Sequence, residues 1–346
     1  MKTKVVKITD PSLAKTDIEH AGRCIRDGGL VVIPTETVYG LGGDGTNPQS
    51  ARKIYSAKGR PSDNPLIIHI SEPRDAEKYA YTNDVYYKLA DAFMPGPLTV
   101  VLPKKEIIPN EVTGGLNTVA VRCPSHPVAR AIISEAGVPI AAPSANISGK
   151  PSPTSAEHVI CDLDGKVDMI IDGGECDIGL ESTIVMVNSD NSLTLLRPGG
   201  ITYDALLCVC EDVFISPTIE GVLSENERPL SPGMKYKHYA PTSPLVLLCG
   251  DQDKITRFLC NEQQRTRCLI LCYDEEISAL SNKGLIPIGR HDDIQMQAKK
   301  LFSALREADR YMPDVIYAHL PDKDGLGLAL YNRMIRAAAH TVKEIK

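Results

Sequence analysis

Short apolar runs separated by helix-period segments recur along most of the chain, and this alternation sets the fold class before any chemistry is considered. Residues 30–33 (LVVI) are continuously apolar, as expected of a strand covered on both faces. Further strands are expected over 5–8, 66–70, 98–102, 118–122, 139–143, 169–171, 183–187 and 193–197. A helix is expected to open at Thr16, where Glu19 completes a capping box and Ile18, Ala21 and Ile25 form the inner stripe, with Gly28-Gly29 as its stop. Asn47-Pro48 opens another, with Ala51, Ile54 and Tyr55 inward; a third covers 84–93, and Thr154 with Glu157 supplies a second capping box. From residue 245 a new cycle begins: strand 245–248, helix 254–261, strand 268–272, helix 294–308, strand 315–318, helix 326–339. Such β-α-β alternation implies a small parallel sheet of doubly wound type. Between the two cycles the pattern weakens and prolines accumulate, which reads as an ordered linker. The expectation is an α/β protein with a domain over 1–207, a linker over 208–244 and a smaller domain over 245–346.

Period-two placement locates the first candidate chemistry. In TVAVR, Thr118, Ala120 and Arg122 share one strand face, a row with room over its middle. His69 shares a face with Ile67, and strict alternation puts Arg197 on the face of Leu193 and Leu195. Lys58 and Arg60 sit at a helix end, in a loop held stiff by Pro61 and Pro65. The run from Gly40 to Gly45 satisfies G-x-G-x-x-G, but the preceding strand stops at Pro34 and the glycines do not open a helix, so a nicotinamide or flavin site is disfavoured. A Gly-rich hairpin without chemistry is one alternative; the preferred reading is a loop whose backbone N–H groups approach a ligand. Ser144, Asn146 and Ser148 after an apolar strand make a turn or an anion nest.

Composition narrows the classes. The net charge of −6, the absence of Trp and only four Phe argue against a non-specific nucleic-acid coat. Ten scattered cysteines lack zinc-ribbon spacing and read as buried or idle thiols of a reducing compartment. No run has signal-peptide or membrane-spanning pattern, so the expected location is the cytoplasm, with no membrane partner. Walker A, zinc-ligand and G-x-S-x-G patterns are absent. Cations, small hydroxyls, two asparagines and a histidine without an activated nucleophile suit phosphoryl or nucleotidyl transfer, where positioning and charge neutralisation dominate.

PTETVYGLG, KIYSAKGRPSDNPL and APSANISGKPSPT, followed by LESTIV and LLRPGGIT, resemble the threonylcarbamoyl-AMP synthase family with its YrdC-like domain. SPGMKYKHYAP and the segment ending in GLGLALYNRMIRAA resemble its longer, two-domain form. The resemblance implies a YrdC-like twisted mixed sheet with helices, plus a smaller Rossmann-like C-terminal domain. It implies that L-threonine, bicarbonate and ATP, with Mg2+, give threonylcarbamoyl-adenylate and pyrophosphate, the adenylate feeding a tRNA threonylcarbamoyl-transfer complex. Residue by residue, the threonine pocket would fall on Thr37, His69, Arg122, Ala142 and Ser182. The ATP site would fall on Lys58, Arg60, Asn64, Thr118, Ser144, Asn146, Ser152 and Arg197, with Lys58, Arg60, Ser144 and Asn146 nearest the chemistry. Tyr236, beside Lys235 and His238, would close over it. The rival expectation is an RNA-binding or ribosome-associated module without nucleotide turnover; a hydrogenase-maturation carbamoyltransferase is set aside because its cysteine pairs are missing.

Overall fold

The first eleven strands join one mixed sheet, and their order explains how distant motifs meet. The computed structural model describes residues 2–219, 221, 239–281 and 283–346. Tyr236, Lys235 and His238 lie outside the described residues. By internal contacts the chain divides into one unit over 1–148, 152–177 and 181–235 and a second over 149–151, 178–180 and 236–346.

In the first unit the strands are β1 (Lys4–Lys7), β2 (Val31–Ile33), β3 (Gly40–Asp44), β4 (Ile67–His69), β5 (Leu98–Pro103), β6 (Thr118–Arg122), β7 (Ile140–Ala141), β8 (Met169–Asp172), β9 (Thr183–Val187), β10 (Leu193–Arg197) and β11 (Val213–Ile215). They lie side by side in the order β1-β8-β2-β3-β7-β4-β6-β5-β9-β10-β11. The helices are α1 (Lys15–Arg26), α2 (Pro48–Lys58), α3 (Asp84–Phe93), α4 (Asn110–Thr113), α5 (Pro127–Ala136), α6 (Ala156–Leu163) and α7 (Tyr203–Leu207). Ile18, Ala21 and Ile25 of α1 pack with Val128, Ala129, Ile132 and Ile133 of α5 over Val31, Ile33, Ile140 and Ile171. A Cβ on Gly22 would stand 2.7 Å from Glu135 Cγ, so the two helices approach closely at that glycine.

Several local expectations are corrected. Helix α1 starts at Lys15 after Ala14 with no side-chain cap, so Thr16 lies inside it. The start is fixed upstream: Asp10 accepts from Ser12 N and Oγ, and the resulting 3-10 turn over Pro11–Leu13 runs into α1. Helix α6 is entered through Ser155 rather than Thr154, whose N–H donates to His158 Nδ1 at 3.3 Å instead. Asn47 does cap α2, accepting from Gln49 N, with Pro48 in the first turn.

The larger correction concerns Gly40–Gly45. The segment is no ligand-facing loop: β3 pairs antiparallel with β2 on one side and with β7 on the other. Its flanking N–H groups are spent on the fold, Leu41 N donating to Pro143 O and Gly45 N to Pro139 O. A Cβ on Gly42 would lie 2.7 Å from Ile140 Cγ2 and 2.9 Å from Val31 O. The glycines therefore let β3 sit deep between its neighbours, which is the packing role of the hairpin alternative.

Past residue 207 the first sheet continues, because β11 pairs in parallel with β10. The second unit has five parallel strands, β12 (Leu245–Gly250), β13 (Cys268–Cys272), β14 (Leu285–Pro287), β15 (Val315–His319) and β16 (Val342–Ile345). Their order is β14-β13-β15-β12-β16, linked by α8 (Gln252–Arg265), α9 (Ile294–Tyr311) and α10 (Gly327–Ala337). This is the doubly wound arrangement, with β14 and β16 too short or too polar to show in the pattern. Among the described residues no helix is long and apolar enough to cross a membrane.

Candidate functional site

Strand pairing carries the face seen at 118–122 across the sheet. His69 pairs with Arg122, Arg122 with Thr99, Thr99 with Ile184, and Ile184 with Arg197. Paired residues point to the same side of a sheet, so one line across β4, β6, β5, β9 and β10 presents an imidazole, two guanidinium groups and a hydroxyl. Beside it on the same face lies a small apolar cluster of Ile67, Val101, Ala120, Ile184 and Leu196.

Arg197 reaches this face through a bulge. The register shifts between Leu195, which pairs with Val185, and Arg197, which pairs with Ile184. The extra residue turns Arg197 to the face opposite Leu193 and Leu195, against strict alternation. There its Nε donates to Ser182 O at 3.0 Å and a terminal nitrogen to Ser182 Oγ at 3.1 Å. Ser182 Oγ also lies 2.7 Å from Thr99 Oγ1, so Thr99, Ser182 and Arg197 form one buried polar chain.

The hairpin turn between β2 and β3 meets this row at Arg122. Glu36 Oε1 accepts from Arg122 at 2.7 Å, both side chains being about 5% exposed, and Glu36 Oε2 accepts from Ser125 N. Arg122 Nε also points to Gly96 O at 3.5 Å. A guanidinium has five N–H donors, so these contacts fix its plane while leaving donors to offer. Thr37 is fully buried next to Glu36, with its hydroxyl 2.9 Å from Thr35 Oγ1. His69 is held by Ile140 O at 3.3 Å, and burial first, then the Arg122 charge, pushes its imidazole down to about 3. His69 is thus neutral throughout the physiological range.

A second group forms around the end of α2. Lys58 is buried, its ammonium donating to Ser144 O at 2.5 Å, to Asn146 O, and to Asn146 Oδ1 at 3.3 Å. Ser144 Oγ donates to Asn146 Oδ1 at 2.6 Å. This loop is the continuation of β7, which pairs with β4 beside His69, and Ala142 N donates to Ile67 O on the way. The remaining predicted residues are spread more widely. Arg60 folds back on its own turn, donating to Asn64 O and Pro65 O. Asn64 is buried and its Oδ1 has no hydrogen-bond partner among the described residues. Ser152 Oγ donates to Glu181 Oε1 at 2.5 Å, one residue before Ser182. Thr118 stands at the far end of β6, half-buried.

Comparison with known proteins decides what this arrangement belongs to. The family model described as "Telomere recombination" matches residues 23–199, and that of the threonylcarbamoyl-AMP synthase C-terminal domain matches 201–339. The threonylcarbamoyl-AMP synthase of Bacillus subtilis is 44% identical over 99% of both chains. The chain belongs to the threonylcarbamoyl-AMP synthase family. The Pyrococcus abyssi member is 43% identical over 95% of this chain and 96% of its own. The crystal structure of P. abyssi Sua5 complexed with L-threonine superposes with a TM-score of 0.90 at 40% identity, covering all of both chains. Family membership thus extends over both units and is not a likeness of the larger sheet alone.

Glu36 and Glu181 are acidic residues of this arrangement that local pattern does not reveal, though they lie in PTETVYGLG and LESTIV. A lone carboxylate in a turn reads as solvent-facing, and its partner Arg122 lies 86 residues away, visible only once β2–β3 and β6 share a sheet.

Proposed function

We propose that the chain is an L-threonylcarbamoyladenylate synthase, a nucleotidyltransferase that joins L-threonine, bicarbonate and ATP and releases pyrophosphate. The observation that carries the reading is the single line His69–Arg122–Thr99–Ser182–Arg197, fixed by Glu36 beside Thr37. It supplies a carboxylate clamp, hydroxyls and a neutral imidazole on one side, and a cation for phosphate on the other.

In this reading Arg122 receives the threonine carboxylate, and Thr37, Ser182 and His69 take the amine and hydroxyl over Ala142. The amine adds to carbon dioxide formed from bicarbonate, with water as the by-product, giving a carbamate. A carbamate oxygen attacks the α-phosphorus of ATP as the bond to pyrophosphate breaks. Lys58 with Ser144 and Asn146, together with Arg60, Asn64, Thr118, Ser152 and Arg197, position the nucleotide and neutralise its charge. Magnesium enters with ATP as part of the substrate, since it binds chiefly through phosphates and water. The adenylate is an activated acyl donor, consumed by transfer of its threonylcarbamoyl group in tRNA modification. The cytoplasm is where we place this step.

The test is pyrophosphate release from ATP, with threonine and bicarbonate omitted in turn. Release that needs both is the expected result. Release independent of threonine, or tRNA retention without any release, rejects the assignment.

A further inference from the structure

The doubly wound unit holds a cavity remote in sequence from every residue placed above. Strands β12 and β15 are neighbours, but the chain leaves β12 through α8 toward β13 on one side and leaves β15 through α10 toward β16 on the other. This reversal is a topological switch point, and ligands of open parallel sheets bind outside the carboxyl ends of the strands there. A cavity of about 450 Å3 lies at that place, bounded by Leu248 and Gly250 after β12 and by His319 and Pro321 after β15. Its size is that of small-molecule sites.

Its walls are built polar groups. His319, 6% exposed, places Nε2 2.9 and 3.0 Å from the two carboxylate oxygens of Glu276. Glu276 also accepts from Gln252 Nε2 at 3.0 Å and from Tyr273 N at 2.9 Å. In the tautomer that donates Nε2–H to Glu276, Nδ1 is an acceptor, and Nδ1 has no partner among the described residues. The Tyr273 ring stacks on His319 at 4.5 Å, and His291 meets Tyr273 edge-on at 4.9 Å. Gln297, 3% exposed, donates its amide to Arg290 O and His291 O, which turns its Oε1 into a further acceptor. Asp322 and Asp324 complete the lining.

This set selects against anions. No lysine or arginine occurs among the described lining residues. At the start of α10, Gly327 N donates to Asp324 O at 2.8 Å. What remains is a row of acceptors beside an aromatic stack, which suits a flat ring carrying amino and hydroxyl donors and no phosphate. We propose that this cavity binds a nucleoside, its base against the Tyr273–His319 end and its amino and ribose hydroxyl groups donating to His319 Nδ1, Gln297 Oε1 and the Asp322 and Asp324 carboxylates.

The test uses the full chain labelled with 13C-histidine and titrated with adenosine, the ring C–H signals being assigned by substitution. Saturable movement of the His291 and His319 signals is expected, weakened tenfold or more by Asp322→Asn with Asp324→Asn, both exposed positions whose change leaves the core intact. AMP is expected to move the same signals only at higher concentration. The proposal is overturned if adenosine moves His69 alone, if the double substitution leaves the titration unchanged, if AMP binds more tightly than adenosine, or if only spermidine moves His291 and His319. None of these outcomes depends on turnover at the N-terminal sheet.

Discussion

At the scale of single residues, the Glu36–Arg122 pair and His69 make separable predictions. Two buried opposite charges at 2.7 Å fix a guanidinium whose orientation a free arginine would have to find on binding. Glu36 is a positioning residue in this account. Glu36→Gln keeps one acceptor and removes the charge, so the threonine KM should rise about 10- to 100-fold, the equivalent of about 1.5–3 kcal/mol for a charged hydrogen bond. The KM for ATP should move far less; steady-state kinetics with each substrate varied checks the split. Arg122→Lys should raise the threonine KM at least as much, because an ammonium cannot make the planar two-point contact. His69 predicts a pH effect on stability. Folded His69 titrates near 3 against about 6.5 when exposed, so between these values the unfolded chain holds a proton that the folded chain lacks. Stability contributed by neutral His69 is present above about pH 6.5 and is lost as the pH falls toward the folded value. Urea midpoints of the parent and of His69→Gln, compared at about pH 7 and about pH 4.5, should converge at the lower pH. Parallel lines would disprove the assigned burial effect.

At the scale of elements, the β2–β3 hairpin predicts a graded response to added methyl groups. A Cβ at Gly42 meets Ile140 at 2.7 Å and the Val31 carbonyl at 2.9 Å, whereas at Gly43 the nearest contacts are side-chain carbons at 3.2–3.3 Å. Backbone cannot yield as a side chain can. Gly42→Ala should therefore cost about 1–3 kcal/mol and Gly43→Ala clearly less, read as the difference in chemical-denaturation midpoints. The same hairpin shows why part of the fold was illegible in the sequence. The strand at 30–33, the helix at 84–93 and the strands at 118–122 and 183–187 carry their own pattern, and their elements match it. The run at 40–45 carries no side-chain alternation at all, so its strand is dictated by β2 and β7 on either side. The bulge at Arg197 is likewise a property of the β9–β10 pairing, invisible to alternation along one strand. For the candidate site, the Thr118–Ala120–Arg122 row was legible because period two needs only local sequence. Its link to Thr99, and the clamp from Glu36, were not, since both depend on register between segments far apart in the chain.

At the scale of the whole molecule, each unit has its own sheet and its own apolar core, in the second unit Leu248, Ile255, Leu259, Ile270 and Tyr317 among others. Local opening then need not be shared, because amides exchange through the cooperative unit that holds them. A ligand that binds only the folded form adds stability by mass action, about 2.7 kcal/mol at a hundredfold excess over its dissociation constant. If threonine is held by Arg122, Ser182, His69 and Thr37, the added protection belongs to the strands that carry those residues and to the β2–β3 turn. Hydrogen exchange of the full chain with and without L-threonine should slow in β4, β6, β9 and residues 35–38. Amides of β12, β13 and β15 should exchange as before, the carboxyl ends of β12 and β15 lining a cavity of their own. Slowing confined to β12 and β15 would move the amino-acid site to the doubly wound unit and remove the physical basis for the assignment made from the larger sheet.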